Sequence, residues 1–331
     1  MTRLVPVLGL LLGGLALAIA APAAAKDKPA KPAAAQATKP AASSGPGAGL
    51  DFADQKSGTP LEIYADQGLE LSQDAKTVIG RGNAKAIRGR VTVTADVLIA
   101  HYREKAGQAP RPAKEKAKDP KDKDTDQAGS SSEVWRVEAD GHVTIASTDQ
   151  TAYGDHADYN IDDAVVVLTG KDLKMVTPTD TVTAVDSLEY WEHRQQAVAR
   201  GKAVAVRADK RIQADILVAD FGENDDKQMA MRRAHAYDHV ILTTATEVVT
   251  GDRGDYDAET GIVTISGSVK MTRNDNQLDG GYAVVNLNTG ISRMYPAAPG
   301  AAGAADRQVK GLFIPQKKAA PAAESAPAKA R

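Results

Sequence analysis

Apolar and polar side chains alternate along most of residues 58–296. The alternation is uninterrupted from Val91 to Val97, and residues 211–216 repeat it in the second half of the chain. Turn-forming pairs such as Asp162-Asp163 separate these stretches every 8 to 12 residues. A period of two is that of a strand with one buried face, and short strands between regular turns are typical of sandwiches, barrels and β-rolls. The pattern therefore predicts an all-β fold.

A short phrase returns along this region: a small residue, then Asp or Gly, then an apolar or Tyr-containing run. Its copies are Ala65-Asp66, Ala95-Asp96, Gly154-Asp155, Val185-Asp186, Ala214-Asp215, Gly251-Asp252 and Gly280-Gly281. Residues 63–102 match residues 182–221 at an offset of 119, and later positions such as Gly154 and Gly251 match at an offset of 97. The difference, 119 − 97 = 22, is extra chain in the first copy. The sequence therefore predicts a fold built from tandem repeats of one unit.

The repeats also decide how the stretch 187–199 is interpreted. It fits an amphipathic helix, but its repeat partner, residues 68–80, contains Gly68 and Gly80. Glycine weakens a helix interior, so we expect a strand, a turn and a second strand in both copies. In the strictly alternating stretches, one face carries the apolar side chains that we expect to line the interior, namely Val93, Ala95, Val97 and Ile99 in the first copy and Ile212, Ala214, Ile216 and Val218 in the second.

The two ends of the chain have a different composition. Residues 1–25 have Arg3, an apolar run and a small-residue site at Ala23-Ala24-Ala25, which predicts a cleaved signal peptide; a retained membrane anchor is the alternative. The predicted parts that follow are a flexible Ala/Pro/Lys tether at 26–57, a first unit at 58–178, a second unit at 179–296, and an Ala/Pro-rich tail at 297–331 with a short apolar island at 309–315. Residues 103–132, rich in Lys, Asp, Pro and Ser, are expected to be a disordered insertion: a solvated loop or a contact for anionic lipid headgroups.

Composition excludes several classes of function. The chain has no cysteine, so it has neither disulfides nor a thiolate nucleophile or metal ligand. Its formal net charge is −2, which argues against nucleic acid as a partner. With three Phe and two Trp, the apolar face consists of small and β-branched residues. Such a face leaves either a thin core or an incompletely filled lumen.

The candidate catalytic and metal-binding motifs are weak. His235 and His239 have the spacing of a helical zinc site, but on a strand they lie roughly 13 Å apart. Gly80-Arg81-Gly82 resembles the start of a dinucleotide-binding fingerprint, but a strand follows it where that fingerprint requires a helix. We therefore predict no catalytic residue, no metal site, no cofactor and no enzymatic activity.

Three phrases, in order and behind a predicted signal peptide, resemble the LptA/OstA-like family of lipopolysaccharide-transport proteins. They begin at Thr59-Pro60-Leu61, at Gly154-Asp155-His156 and at Asn276-Gln277-Leu278. The resemblance covers about 59–296. It implies a β-jellyroll whose open ends stack head to tail and whose inner face carries acyl chains. This chain departs from the usual member by containing two units and the insertion.

The resemblance also implies a site and partners. By position the lumen-facing residues are Leu61, Ile63, Val165 and Val167, and the repeat register adds Val182, Ile262 and Thr264. Together with Val93, Val97, Ile212 and Ile216 from the alternation, these are the expected lipid-binding residues. The implied function is a periplasmic bridge that carries lipopolysaccharide between an inner-membrane LptC-like protein and an outer-membrane LptD-like protein, with possible self-association. The alternatives are an LptC-like anchored component and a structural periplasmic repeat protein without ligand.

Overall fold

The computed structural model describes residues 61–104, 132–224, 227, 229–301 and 308–314. These ranges contain eighteen β-strands and a single 3₁₀ turn, Glu192–Arg194. The strands are β1 (Glu62–Tyr64), β2 (Leu69–Ser72), β3 (Thr77–Arg88), β4 (Val91–Glu104), β5 (Ser132–Ala146), β6 (Thr151–Asn160), β7 (Val165–Thr169), β8 (Leu173–Val176), β9 (Asp180–Ala184), β10 (Ser187–Trp191), β11 (Gln196–Arg207), β12 (Lys210–Glu223), β13 (Met229–Thr243), β14 (Val248–Asp257), β15 (Ile262–Arg273), β16 (Asn276–Asn286), β17 (Ile291–Tyr295) and β18 (Lys310–Leu312).

All the strands belong to one sheet in which every pairing is antiparallel. The chain runs back and forth, so that successive strands are neighbours joined mostly by short turns. The predicted all-β fold built from tandem repeats is therefore confirmed. The stretch 187–199 also has the predicted form, because β10 is followed by the 3₁₀ turn and then by β11.

Each long strand is bent near its middle. The pairing register shifts between Arg81 and Ala84 on β3, and between Asp140 and Val143 on β5. An extra residue in one strand of an antiparallel pair bends that strand and increases its twist. The two halves of β3 consequently pair with different strands, β2 on one side of the bend and β1 on the other.

The bends divide the sheet into two layers joined along one line, which we call the corner. The first layer contains β2, β7, β10, β17 and the halves of the long strands that lie beside them. The second layer contains β1, β8, β9, β18 and the other halves. The turns at the far end of each layer form two rows, which we call the rims.

The repeated phrase of the sequence corresponds to this corner. Its aspartates face the bulged residues of the neighbouring strand: the Asp66 carboxylate accepts a hydrogen bond from Asn83 Nδ2 at 2.8 Å, and Asp96 contacts His142 Nδ1 at 2.8 Å. Asn83 and His142 have positive φ angles of 42° and 46°, which the extra residue of a bulge requires. The phrase recurs because every bent strand needs the same corner chemistry.

Both layers continue without interruption through the middle of the chain. In the first layer β7 pairs with β10, which pairs with β11; in the second layer β8 pairs with β9, which also pairs with β11. The space between the layers therefore runs through both halves of the chain.

Several predicted segments lie wholly or partly outside the described residues. These are residues 1–25, the tether 26–57, most of the tail 297–331, and residues 105–131 of the insertion. The insertion is shorter than expected, because Arg103, Glu104 and Ser132 belong to β4 and β5 and Glu104 is paired with Ser132. The apolar island contributes β18, which pairs with β16. No helix among the described residues is long and apolar enough to cross a bilayer.

Candidate functional site

The interior between the two layers is apolar. One face of most of the long strands is buried, and the described residues contain no helix that could cover it, so the layers cover each other. The largest cluster of buried residues includes Val91, Leu98, Val143, Ile145 and Leu168. A second cluster in the other half includes Leu242, Val249, Ile265, Val269 and Met271.

Small side chains line the interior near the corner. Ala84, Ala95, Ala203, Ala214 and Ala236 are at most 4% exposed. Two layers that meet at a bend are closest together there, so only a methyl group fits. Larger side chains begin one step away from the corner, as with Leu98 beyond Ala95 and Val240 beyond Ala236. The interior is therefore graded in side-chain size from the corner outwards.

Five of the eleven expected lipid-binding residues lie at this interior. Leu61, Ile63 and Val93 pack against the first cluster as partly buried side chains. Val182 packs against a small cluster around Ala199 in the second half, and Ile212 packs against two clusters there. The structure thus brings these five residues to the inner surface, where side chains from both repeats line the same space.

Val97 and Ile216 lie outside the interior clusters. The pairing shifts between Thr94 and Val97 on β4, and between Gln213 and Ile216 on β12. Beyond that shift the alternation changes phase, so Leu98 and Ala100 are buried at 1% exposure while Val97 and Ile99 are half-buried. In the second half Leu217 packs inside, in place of the expected Ile216 and Val218.

Val165, Val167, Ile262 and Thr264 also lie on the outer face and not on the expected inner one. On β7 the interior side chains are Val166 and Leu168, and at the matching positions of β15 they are Val263 and Ile265. The run Val165 to Leu168 is entirely apolar, so its own sequence does not indicate which alternate residues face inwards. The family resemblance and the repeat register implied that Val165, Val167, Ile262 and Thr264 face inwards, whereas in the structure their neighbours do.

Val165 and Val167 instead line a groove on the outer face of the first layer, with a volume of about 450 Å³. Trp191 forms part of its wall, and the guanidinium carbon of Arg194 lies 4.8 Å from the centre of the Trp191 ring. The carboxylates of Asp158 and Asp163 lie at its border. The groove is short and polar at its edge, unlike the long interior.

The rims carry polar side chains that join the layers. Glu247, on the second-layer rim, is only 5% exposed and accepts a hydrogen bond from Arg273 Nη2 at 2.8 Å. It also accepts a bond from the hydroxyl group of Ser292, which belongs to β17 of the first layer. Arg273 in turn donates to the carbonyl oxygen of Gly290 in a first-layer turn at 3.4 Å. This group links the two layers at one place on the side opposite the corner.

Histidines occupy the corner and the outer face. His239 contacts Asp215 at 2.8 Å, as His142 contacts Asp96 in the first repeat. His235 lies between Asp255 at 2.6 Å and Asp220 at 3.2 Å. His235 and His239 therefore have different aspartate partners and do not share a site. Among the described residues, no three His, Asp or Glu side chains are placed to hold a metal ion.

Replacing Asp96 by asparagine is expected to lower the pKa of His142. The hydrogen bond and then the charge of Asp96 raise this pKa above its usual range. Because the folded-state pKa is raised, the stabilisation is complete below the unfolded value of about 6.5 and is lost as the pH rises through the raised value. An NMR titration of the imidazole measures this, with His239, whose partner is Asp215, as internal control. An unchanged pKa of His142 in D96N would contradict the assignment.

A bent antiparallel sheet of tandem repeats, with apolar side chains packed between its two layers, defines the class: an all-β repeat protein with an apolar interior. The model of the LptA/(LptD N-terminal domain) LPS transport protein family matches the chain twice, over residues 62–186 and 181–291. These matches extend over more than two thirds of the sequence, from 62 to 291. The chain therefore belongs to this lipopolysaccharide-transport family. Its members are transport proteins, so the prediction that the chain is not an enzyme is confirmed.

The comparison with solved structures finds 16 matching chains. One is LptH of Pseudomonas aeruginosa, described as the LptA-homologous periplasmic component of a lipopolysaccharide transport device. It is 15% identical, and the match covers 41% of this chain and 95% of LptH, with a TM-score of 0.36. No curated protein matches the sequence.

Proposed function

We propose that this protein is a periplasmic bridge component that holds lipopolysaccharide by its acyl chains between the two layers of the bent sheet. The observation that carries the proposal is the continuity of the apolar interior through both repeats, through the pairing of β7 with β10 and of β8 with β9. A carrier that moves a lipid along its length needs an uninterrupted apolar path. Membership of a lipopolysaccharide-transport family supports the choice of lipid.

Burial of an acyl chain is favourable enough to need no aromatic side chains at the narrow side of the interior. Each buried CH₂ contributes about 0.8 kcal/mol, so one chain of twelve carbons contributes on the order of 10 kcal/mol. Small side chains such as Ala203 and Ala236 line the corner, so the separation of the layers further out depends on the larger side chains there. There Leu61, Ile63, Val182 and Ile212 are partly buried, and a lipid chain would cover them further.

Photo-crosslinking in cells tests the proposal. A photoreactive residue at Val93 or Ile212 should label lipopolysaccharide, because both side chains pack on interior clusters. A photoreactive residue at Thr94 or Ile216, close by on the same strands, is the matched control and should not label. Equal labelling at all four positions, or none, would overturn the proposed path.

The terminal strands are the proposed contacts with membrane partners. At the start of the sheet, β1 and β2 expose Tyr64, Leu69 and Leu71; at its end, β17 and β18 expose Ile291 and Leu312. Unpaired edges of a sheet can be extended by a strand from another chain. We propose that an LptC-like protein, an LptD-like protein or a second copy of this chain pairs with them.

A further inference from the structure

Arginines recur at the rim of the second layer. Arg88 ends β3, Arg207 ends β11 and Arg273 ends β15. Arg88 and Arg207 are equivalent positions of the two repeats, at the offset of 119. All three lie on the side opposite the corner, where the interior meets solvent.

One of these arginines contacts the first layer directly. Arg273 bonds to the carbonyl oxygen of Gly290. Burial and then the charge of Glu192 raise the pKa of the Tyr159 hydroxyl, and the charge of Arg88 lowers it. In the second repeat the hydrogen bond from Arg207 to Asp180, and more weakly the charge of the equivalent tyrosine, Tyr256, raise the pKa of the Arg207 guanidinium. Arg273 therefore lies where the second-layer rim meets the first layer, and Arg88 and Arg207 end strands of the same rim.

A buried or partly buried carboxylate holds each of Arg207 and Arg273. Arg207 donates through Nε and Nη2 to the two oxygens of Asp180, at 2.6 and 2.9 Å. Arg273 donates to Glu247 through Nη2. The two guanidinium groups remain partly exposed, at 38% and 44% for the side chains, while Asp180 and Glu247 are at 13% and 3%. Each cation is therefore positioned by a buried acid and directed towards solvent.

We propose that Arg207 and Arg273, and by repeat equivalence Arg88, are binding sites for the phosphate groups of the lipid's sugar headgroup, with the acyl chains inside and the headgroup at the rim. The inference rests on the proposed function. A guanidinium fork has five N–H donors, and the bond pair to Asp180 leaves donors for phosphate oxygens. Along the second layer Arg88 and Arg207 are six strand spacings apart and Arg207 and Arg273 four, so each arginine is a separate site.

Substitution of the carboxylates distinguishes a purely structural role of the arginines from phosphate binding. If the arginines serve only to stabilise the rim, removing either partner of a pair weakens lipid binding in the same direction. If they bind phosphate, Asp180 competes with the ligand for the same cation. Arg207→Gln should then weaken binding of the phosphorylated lipid, and Asp180→Asn should strengthen it.

The experiment measures binding of purified lipid A, with and without its phosphates, to the whole protein. We expect Arg207→Gln to weaken binding of the phosphorylated form about tenfold, Asp180→Asn to tighten it, and both to leave the dephosphorylated form within twofold. Arg207→Lys keeps the charge and should fall between. Arg253→Gln, which removes an exposed arginine paired with Asp255 on the outer face, is the matched control and should change neither affinity.

Three outcomes would overturn the inference. Equal losses for both lipids in Arg207→Gln, with thermal unfolding unchanged, would make the arginine a structural link only. Weaker lipid binding in both R207Q and D180N would also indicate a structural role only. Displacement of the lipid by millimolar inorganic phosphate would assign the site to free phosphate. Failure of the unmodified protein to bind either lipid would overturn the proposed function itself.

Discussion

Replacing Ile265 by alanine is expected to lower the free energy of unfolding by about 3 kcal/mol, within the range of about 2–5 kcal/mol for large-to-small changes in a well-packed core. Ile265 is fully buried in the cluster of the second half. A Cβ atom on Gly251 would overlap the Cγ2 methyl group of Ile265, so the backbone opposite leaves no free space. The deleted atoms therefore leave a cavity that neighbouring side chains cannot fill.

Urea unfolding followed by circular dichroism measures this loss. The matched control is Thr264→Ala, because Thr264 precedes Ile265 on β15 and its half-buried side chain is on the other face. We expect a loss below about 1 kcal/mol there, as for surface substitutions in general. A larger loss at Thr264 than at Ile265 would mean that the faces are exchanged, as the resemblance alone had implied.

The sequence was sufficient to predict the repeat and the all-β fold because both are local properties. The phrase at Ala95-Asp96 and its copies mark positions where each strand must bend. The alternation before the bend is reliable, which is why Val93 and Ile212 lie on the predicted face. These signals are contained in a few neighbouring residues.

The inner face beyond the bend was not predictable from alternation alone. A bulge inserts a residue, and each inserted residue exchanges the two faces of everything that follows. On β4 the pairing partner that causes the shift is on β5, where Gly141 and His142 supply the extra position. Asp96 and His142 are 46 residues apart, so no local pattern reveals where Val97 turns outwards.

The rim contacts were missed for the same reason. Glu247 and Ser292 are 45 residues apart and belong to different layers. A signal was nevertheless present, because Arg88 and Arg207 match at the offset of 119, and Tyr159 and Tyr256 match at the offset of 97. Identical charged residues at equivalent positions of a repeat indicate a shared role, and Arg88 and Arg207 both end strands at the rim of the second layer.

The junction between the repeats has a consequence for the proposed bridge. Strands β7 and β8 of the first half are followed in both layers by β10 and β9 of the second, without a free edge between them. One chain therefore already contains a joint of the kind that stacking of separate units would create between chains. We infer that a bridge of given length needs fewer copies of this chain than of a single-unit protein.

Replacing Gly267 by alanine is expected to lower the free energy of unfolding by about 3 kcal/mol, because two costs add at this corner position. The φ angle of Gly267 is +107°, a conformation in which a side chain costs about 1–2 kcal/mol. A Cβ atom there would also overlap the carboxylate of Asp252 on the neighbouring strand. Overpacking of this kind typically costs about 1–3 kcal/mol more.

The control that separates the two costs is Gly68→Ala. Gly68 has a φ of +112°, close to that of Gly267, but no atom lies within 4 Å of the position its Cβ would take. Its substitution should therefore cost only the backbone strain, about 1–2 kcal/mol. Urea unfolding of both variants gives the difference, which measures how tightly the corner is packed. Equal losses would mean that Asp252 moves aside without penalty and that the carboxylates of the repeated phrase are not held in place by the bend.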